Sequence, residues 1–259
     1  MIETVTYKRV LPNDLLERYT FMETGSAAAI IAAIRPDPFS DIVNVLKKFT
    51  LTSQMLMTPG GNRGCVPRTL DGAFEHLGWM EARVDIYRRA FLFRGNSAGD
   101  VSLDPFGDRA EENLVSETYQ RGYAVDNVKD RIALDVEWNP KDGNLDRDFS
   151  AYRAWHNEGL IDASVLITRK HDETKRLTDE LWNAYIRDNP ECEGQRQPVS
   201  YKTTTTANYE KALTRIRRGD LGSCPILVVG IGRNAWDGCL WNGRQVKYDD
   251  TLGCCVTID

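Results

Sequence analysis

No stretch of this chain is long and apolar enough to cross a bilayer. Its longest uninterrupted apolar run, Ala27–Ile34, has eight residues, where a spanning helix takes about 20. The first residues, Met1-Ile-Glu-Thr4, lack the basic-then-apolar pattern of a secretory leader, so a cytoplasmic location and no membrane partner are expected. Histidine is scarce, with three residues, and the six cysteines include no Cys-x-x-Cys pair. Zinc sites built on that spacing are excluded, and buried, reduced thiols are expected instead. The phosphate-binding Gly-x-x-x-x-Gly-Lys loop, the His-Glu-x-x-His helix and the Gly-x-Ser-x-Gly elbow are all missing. Gly230-Ile-Gly232-Arg-Asn-Ala235 has the outline of a dinucleotide fingerprint. Only 24 residues follow it, however, and Trp236, Gly238 and Gly243 interrupt any helix there.

Excess positive charge is missing as well. With 33 Lys+Arg against 38 Asp+Glu the net charge is −5. That argues against a protein coating nucleic acid with a broad positive surface, and leaves open one that touches it through a local basic cleft. A hydrophobic content of 41% excludes disorder. Internal repeats, low-complexity tracts and clean linkers are absent. The economical reading is one domain over residues 1–259, with a helical N-terminal part (1–60), a core carrying the candidate chemistry (61–235) and a C-terminal tail (236–259).

Apolar spacing near three and four predicts helices over Leu11–Phe21, Ser26–Ile34 and Phe39–Phe49. A glycine-rich loop, Met57–Gly64, leads into a helix with Pro67 in its first turn, ending near Gly78. Glu81–Phe93 fits a strand or hairpin arm, Arg94–Gly107 an exposed loop, and Arg109–Tyr119 an acidic helix. Beyond an extended Tyr123–Asp126, strands are predicted over Arg131–Trp138, Ala163–Thr168 and Pro225–Gly230, with helices over Leu145–Asn157, Thr178–Arg187 and Ala207–Arg217. Strands alternating with helices predict an α/β fold with a mixed central sheet.

The most informative pattern is acidic. Asp126 lies nine positions before Asp135, and Glu137 two after it. Alternate residues of a strand share a face, so Asp135 and Glu137 project side by side about 7 Å apart. A tight turn through Asn127–Arg131 brings Asp126 to the same spot from a neighbouring strand. Three converging carboxylates repel one another unless a hard divalent cation neutralises them, and Mg²⁺ prefers such oxygen ligands. A cation there polarises a phosphoryl oxygen and lowers the pKa of bound water. The rival reading has the acids facing solvent; Leu134, Val136 and Trp138 around them weigh against it.

Asp126-(eight residues)-Asp135-Val136-Glu137 resembles the PD-(D/E)xK nuclease signature, with Glu in place of the usual Lys. The longer run resembles type II restriction endonucleases of the BglII and BamHI kind. It comprises Val125-Asp-Asn-Val-Lys-Asp-Arg-Ile-Ala-Leu-Asp-Val-Glu-Trp-Asn139, Lys141-Asp142, Asp146-Arg-Asp-Phe149 and Gly159-Leu-Ile-Asp-Ala-Ser-Val-Leu-Ile-Thr-Arg169, spanning 45 residues. Gly64-Cys-Val-Pro-Arg68, Gly78-Trp79, Thr203–Thr206 and Cys224-Pro-Ile-Leu-Val228 match more loosely. The resemblance implies a restriction-endonuclease-like core. Asp126 matches the first metal-binding Asp. Asp135 matches the second acid, a Glu in those relatives, and Glu137 the third position. A further acid from the preceding helix is implied, with Glu75 and Glu81 as candidates. Lys129 and Lys141 are candidates for a nearby positive charge. The resemblance further implies Mg²⁺, for which Mn²⁺ substitutes, and hydrolysis leaving 5′-phosphate and 3′-hydroxyl ends. It implies a homodimer on a short palindrome of double-stranded DNA, with the GATC-centred hexamers that such relatives often read as the expected site, and a cognate methyltransferase that is not a stable partner. A non-cleaving DNA-binding protein and a repair or structure-specific nuclease of the same superfamily are the alternatives.

For holding DNA, Asn62, Arg63 and Arg68 flank the glycine-rich loop before a helix, where backbone N–H groups suit phosphate. Thr203, Thr204, Thr205, Thr206 and Asn208 precede a helix ending in Arg215, Arg217 and Arg218, and such groups reach base edges and phosphates. Arg88, Arg89 and Arg94 form another basic cluster. Phe149, Tyr152 and Trp155 read as core residues, Asp146 and Asp148 as acids flanking a helix start, and Arg169 as a phosphate ligand or half of an ion pair.

Overall fold

The computed structural model describes residues 2–60, 64–92, 114–202 and 205–258. Its earliest elements are β1 (Glu3–Thr4), α1 (Tyr7–Val10), α2 (Asn13–Arg18), β2 (Tyr19–Thr24), α3 (Ala27–Ile34), α4 (Pro36–Lys48) and α5 (Ser53–Met57). Next come α6 (Cys65–Glu75) and β3 (Met80–Arg83), then β4 (Ile86–Phe91) and β5 (Leu114–Gln120). The central part has β6 (Ala124–Lys129), β7 (Ile132–Glu137), α7 (Gly143–Asn157), β8 (Ala163–Arg169), α8 (His171–Asp188), α9 (Tyr209–Arg218) and β9 (Ile226–Ile231). β10 (Val246–Asp249) and β11 (Cys254–Thr257) end it.

Three adjacent strands, β7, β8 and β9, form the spine of a seven-stranded sheet of order β1-β2-β9-β8-β7-β6-β3. They run parallel to one another, and every residue in them is buried. Burial on both faces explains their near-continuous apolar runs. β2 joins β9 antiparallel, and β6 joins β7 antiparallel. The sheet is therefore mixed and the architecture α/β, as the element pattern predicts.

The pleat divides the sheet's side chains between two layers. Ile132, Leu134, Val136, Val165, Ile167, Leu227, Val229 and Ile231 join one core with apolar residues of α3, α4, α5, α6 and α8. α7 packs on β7 and β8, and α9 on β9. Buried Glu23 on β2 ties two helix starts to the sheet, accepting the N–H groups of Thr6, Tyr7 and Ala28.

Residues 83–124 form a second compact unit. In it β4 and β5 pair antiparallel, and Asp85 accepts the Tyr119 hydroxyl at 2.7 Å and the Gly122 N–H at 3.0 Å. Gly122 is required there, since a Cβ would fall 1.9 Å from the Val84 carbonyl oxygen.

The structure corrects several boundaries. The helix predicted over 11–21 stops at Arg18, because Tyr19–Thr24 pairs with β9. The described part of the segment predicted as an acidic helix, 114–119, lies in strand β5; Val115, Thr118 and Tyr119 favour the β conformation. The described part of the arm predicted over 81–93 is broken into β3 and β4. Cys65 and Cys255 form a disulfide, and Cys239 and Cys254 are exposed, so buried reduced thiols are not general; Cys224 alone among the free ones is buried. Residues 236–259 include the β10–β11 hairpin, which lies against α6. No helix of the described residues is long and apolar enough to cross a membrane.

Candidate active site

The acids of β6 and β7 meet where the two strands pair. The antiparallel register sets Asn127 opposite Leu134, so Asp126 stands beside Asp135, and the Asp126 N–H donates to Asp135 Oδ1 at 2.8 Å. Asp135 is 2% exposed. Its second oxygen accepts the hydroxyl of fully buried Tyr152, on α7, at 2.5 Å. Burial, then the like charge of Asp126, raises the Asp135 carboxyl above the ordinary range. Two residues along the same face, Glu137 is also buried. Burial and then Asp135 push it up, while hydrogen bonds to Asp148 and Asn144 pull it down. Asp126 is open to solvent on one side. Protein atoms on its inner side, and then the charge of Glu81, raise it as well.

Two further acids join the group. Asp71 on α6 accepts Asn127 Nδ2 at 2.9 Å, and burial raises it to about 7 against that hydrogen bond. Asp148 on α7 is buried beside Glu137, and its Oδ2 has no hydrogen-bond partner among the described residues. Asp148 thus does not flank the helix start as expected: only Asp146 lies in the first turn of α7. Asp148 lies on the inward face of α7 with Leu145, Phe149 and Tyr152, about one turn apart. Asp71 likewise lies one turn from Pro67 and Phe74, both buried. Of the two upstream candidates, Glu75 is exposed on α6 and Glu81, exposed on β3, acts on Asp126 through its charge.

The basic and polar candidates are dispersed. Lys129 pairs with Asp41 at 2.8 Å, and Lys141 is exposed. Arg68 pairs with Asp250 and stacks on Tyr248, 5.0 Å from the ring centroid. Arg215 binds Asp146 at 2.7 Å, Arg217 binds Glu3, and Arg218 binds Asp220. Arg88 and Arg89 lie on β4 in the second unit. Asn208 is buried and caps α9, accepting the Lys211 N–H at 2.9 Å. Thr205 is exposed and Thr206 half-buried. Backbone bonds from Asp142 N–H to Thr205 O and from Ala207 N–H to Pro140 O, both 2.9 Å, fasten their segment to the exit of β7. Asn62, Arg63, Arg94, Thr203 and Thr204 lie outside the described residues. Arg169 makes no ion pair among the described residues.

A family model described as restriction endonuclease BglII/BglIII matches residues 19–231, from the first residue of β2 to the last of β9. The chain belongs to the BglII/BglIII restriction endonuclease family. No curated protein matches it. Membership makes the chain a nuclease of the restriction-endonuclease kind, which binds DNA, and fits its α/β core.

The family generally uses a divalent metal. Among the described residues, no three His, Cys, Asp or Glu side chains already stand in a ligating arrangement. The donor chemistry nevertheless fits a hard cation. Asp71, Asp126, Asp135 and Glu137 offer oxygen alone, the acids raise one another's affinity for protons, and Asp148 Oδ2 has no donor among the described residues. A carboxylate accepts at about four positions, so the two hydrogen bonds to Asp135 leave it free to ligate.

Proposed function

We propose that this family member is a Mg²⁺-dependent type II endonuclease that cuts double-stranded DNA at a short palindrome, with Asp126, Asp135 and Glu137 as its catalytic acids. The observation carrying this reading is the Asp126–Asp135 pair, two acids on adjacent strands held together by a 2.8 Å hydrogen bond from the Asp126 backbone N–H to Asp135 Oδ1, with Glu137 next on the same face. Asp126 and Asp135 would hold the cation, and Asp71 is the additional helix acid. A divalent ion held there would supply polarisation of the scissile phosphoryl oxygen and a lowered pKa for a water. Mn²⁺, another oxygen-seeking ion, would substitute.

The chain's own groups then do the proton work. Glu137, raised by burial, takes a proton near neutral pH more readily than an exposed glutamate. Its hydrogen bonds to Asp148 and Asn144 aim it, and Tyr152 fixes Asp135. In-line attack of the activated water leaves 5′-phosphate and 3′-hydroxyl ends. Thr203, Thr204, Thr205 and Thr206, and Asn62 and Arg63 of the glycine-rich loop, are the proposed DNA contacts. Arg68 and Asn208 would join them only by exchanging their present partners. A homodimer would match the two-fold symmetry of a palindrome, and a cognate methyltransferase would protect the host's own sites.

Plasmid digestion in Mg²⁺, beside Asp126→Ala, tests this. Discrete fragments with 5′-phosphate ends, absent for the variant, are expected. Cutting that survives Asp126→Ala would move the active site elsewhere. Binding without cutting would favour a non-cleaving protein, and a smear or junction-dependent cutting a repair nuclease.

A further inference from the structure

We propose that Arg169 is a positioning residue that couples DNA contact at Thr205–Thr206 to the geometry of the catalytic strand β7; this rests on the endonuclease reading above. Arg169 ends β8 and is 0% exposed. A buried guanidinium is costly to desolvate and ordinarily sits against a carboxylate. Here no carboxylate pairs with it among the described residues, so neutral acceptors carry its whole donor set.

Those acceptors come from three separate segments. Nε donates to the Trp138 carbonyl at 3.0 Å, and Nη2 to Asn139 Oδ1 at 3.4 Å, both just past β7. Nη2 also donates to Thr206 Oγ1 at 2.8 Å. Nη1 bonds His171 Nδ1 at 3.0 Å and Thr174 Oγ1 at 3.4 Å, at the start of α8. The guanidinium lies over the Tyr201 ring, 4.8 Å from its centroid. The residue before it completes the link, since Thr168 Oγ1 donates to the Glu137 carbonyl at 2.6 Å. The end of β8 thus holds the carbonyls of Glu137 and Trp138, and the same guanidinium grips Thr206. A shift of the Thr205–Thr206 segment on DNA moves an acceptor of Arg169, and the fork passes that movement to the residue beside Glu137.

Lysine keeps the charge without the planar fork, so Arg169→Lys separates geometry from charge. Thr206→Val, which removes one acceptor, is the milder variant should Arg169→Lys fold poorly. The readout is the ratio of cleavage rates on a short duplex carrying the cut site mapped from wild-type plasmid fragments and on duplexes altered at one base pair. Thermal melting is recorded alongside. Each variant is expected to narrow that ratio, Arg169→Lys by about tenfold, the size of one lost base contact, and Thr206→Val by less. In the double variant the two losses are expected not to add. A purely structural Arg169 would lower the rates on all duplexes alike and leave the ratio unchanged; that result overturns the proposal. If the wild type yields no discrete fragments, the endonuclease reading fails first and the proposal falls with it.

Discussion

The two faces of β7 do opposite work. On one, Ile132, Leu134 and Val136 enter the main core. On the other, Asp135 and Glu137 are buried too but gain no hydrophobic stabilisation and are pushed toward their protonated forms. A step of one residue along the pleat separates the two roles. β8 repeats the division, with Val165 and Ile167 in the core while Thr168 holds the Glu137 carbonyl. The apolar face holds the strand rigid, so that the acidic face can keep carboxylates close together at a cost in stability. Such a cost marks a site shaped for function.

The sharpest way to break the comparison is to change adjacent residues. Asp135→Asn is expected to lower cleavage roughly a thousandfold, from the ~4 kcal/mol of charge stabilisation lost with a metal ligand. It should also raise the melting temperature of the metal-free protein at pH 8. The amide can be accommodated, because its oxygen still accepts the Asp126 N–H, and the Tyr152 hydroxyl, 3.3 Å from the Val165 carbonyl, can turn to donate there. Leu134→Ala should do the reverse. It empties a fully buried site and costs about 2–5 kcal/mol of stability, with cleavage per folded molecule largely kept. Thermal melting and initial rates on one plasmid measure both. If Asp135→Asn melts lower than wild type, the acidic face is not under strain.

A smaller effect sharpens the same contrast. Tyr152→Phe keeps the buried ring on α7 and removes the hydroxyl, with its 2.5 Å hydrogen bond to Asp135 and its longer 3.3 Å contact with the Val165 carbonyl. Groups that orient a ligating carboxylate typically change metal affinity 10–100-fold, so half-maximal cleavage should require about tenfold more Mg²⁺. The rate at saturating Mg²⁺ should fall much less. Equal activity at every Mg²⁺ concentration would make Tyr152 a packing residue alone.

How much of this was legible differs by element. β7, β8, β9 and α7 could be read because doubly buried strands are continuously apolar and α7 has an evident inward face. The nine-residue spacing of Asp126 and Asp135 could be read because a turn and a strand period convert it into proximity. Asp71 and Asp148 could not be singled out: an acid on an amphipathic helix looks alike whether it borders solvent or a site, until the rotation of the helix on the sheet is known. Leu114–Gln120 misled because nearby acids gave it a helical look, whereas pairing with β4 decides its conformation.

The smallest predicted effect is a pH dependence that separates the faces without mutating either. Asp71 and Asp135 bind protons more tightly in the fold than in the unfolded chain. Between the ordinary carboxylate range and about 7, where Asp71 titrates, the fold therefore holds more protons. Stability must then fall as pH rises through that window. After screening, a net loss of roughly 1–2 kcal/mol between pH 5 and pH 8 corresponds to a few °C in Tm. Mg²⁺ would replace those protons, so it should raise Tm more at pH 8 than at pH 6 and release protons on binding. Asp135→Asn should flatten both trends, whereas Leu134→Ala should lower the whole curve and leave its slope alone. A metal-free Tm that climbs from pH 6 to pH 8 would mean that the acids are not held above their ordinary range, and the assignment of strain to one face of β7 would fail.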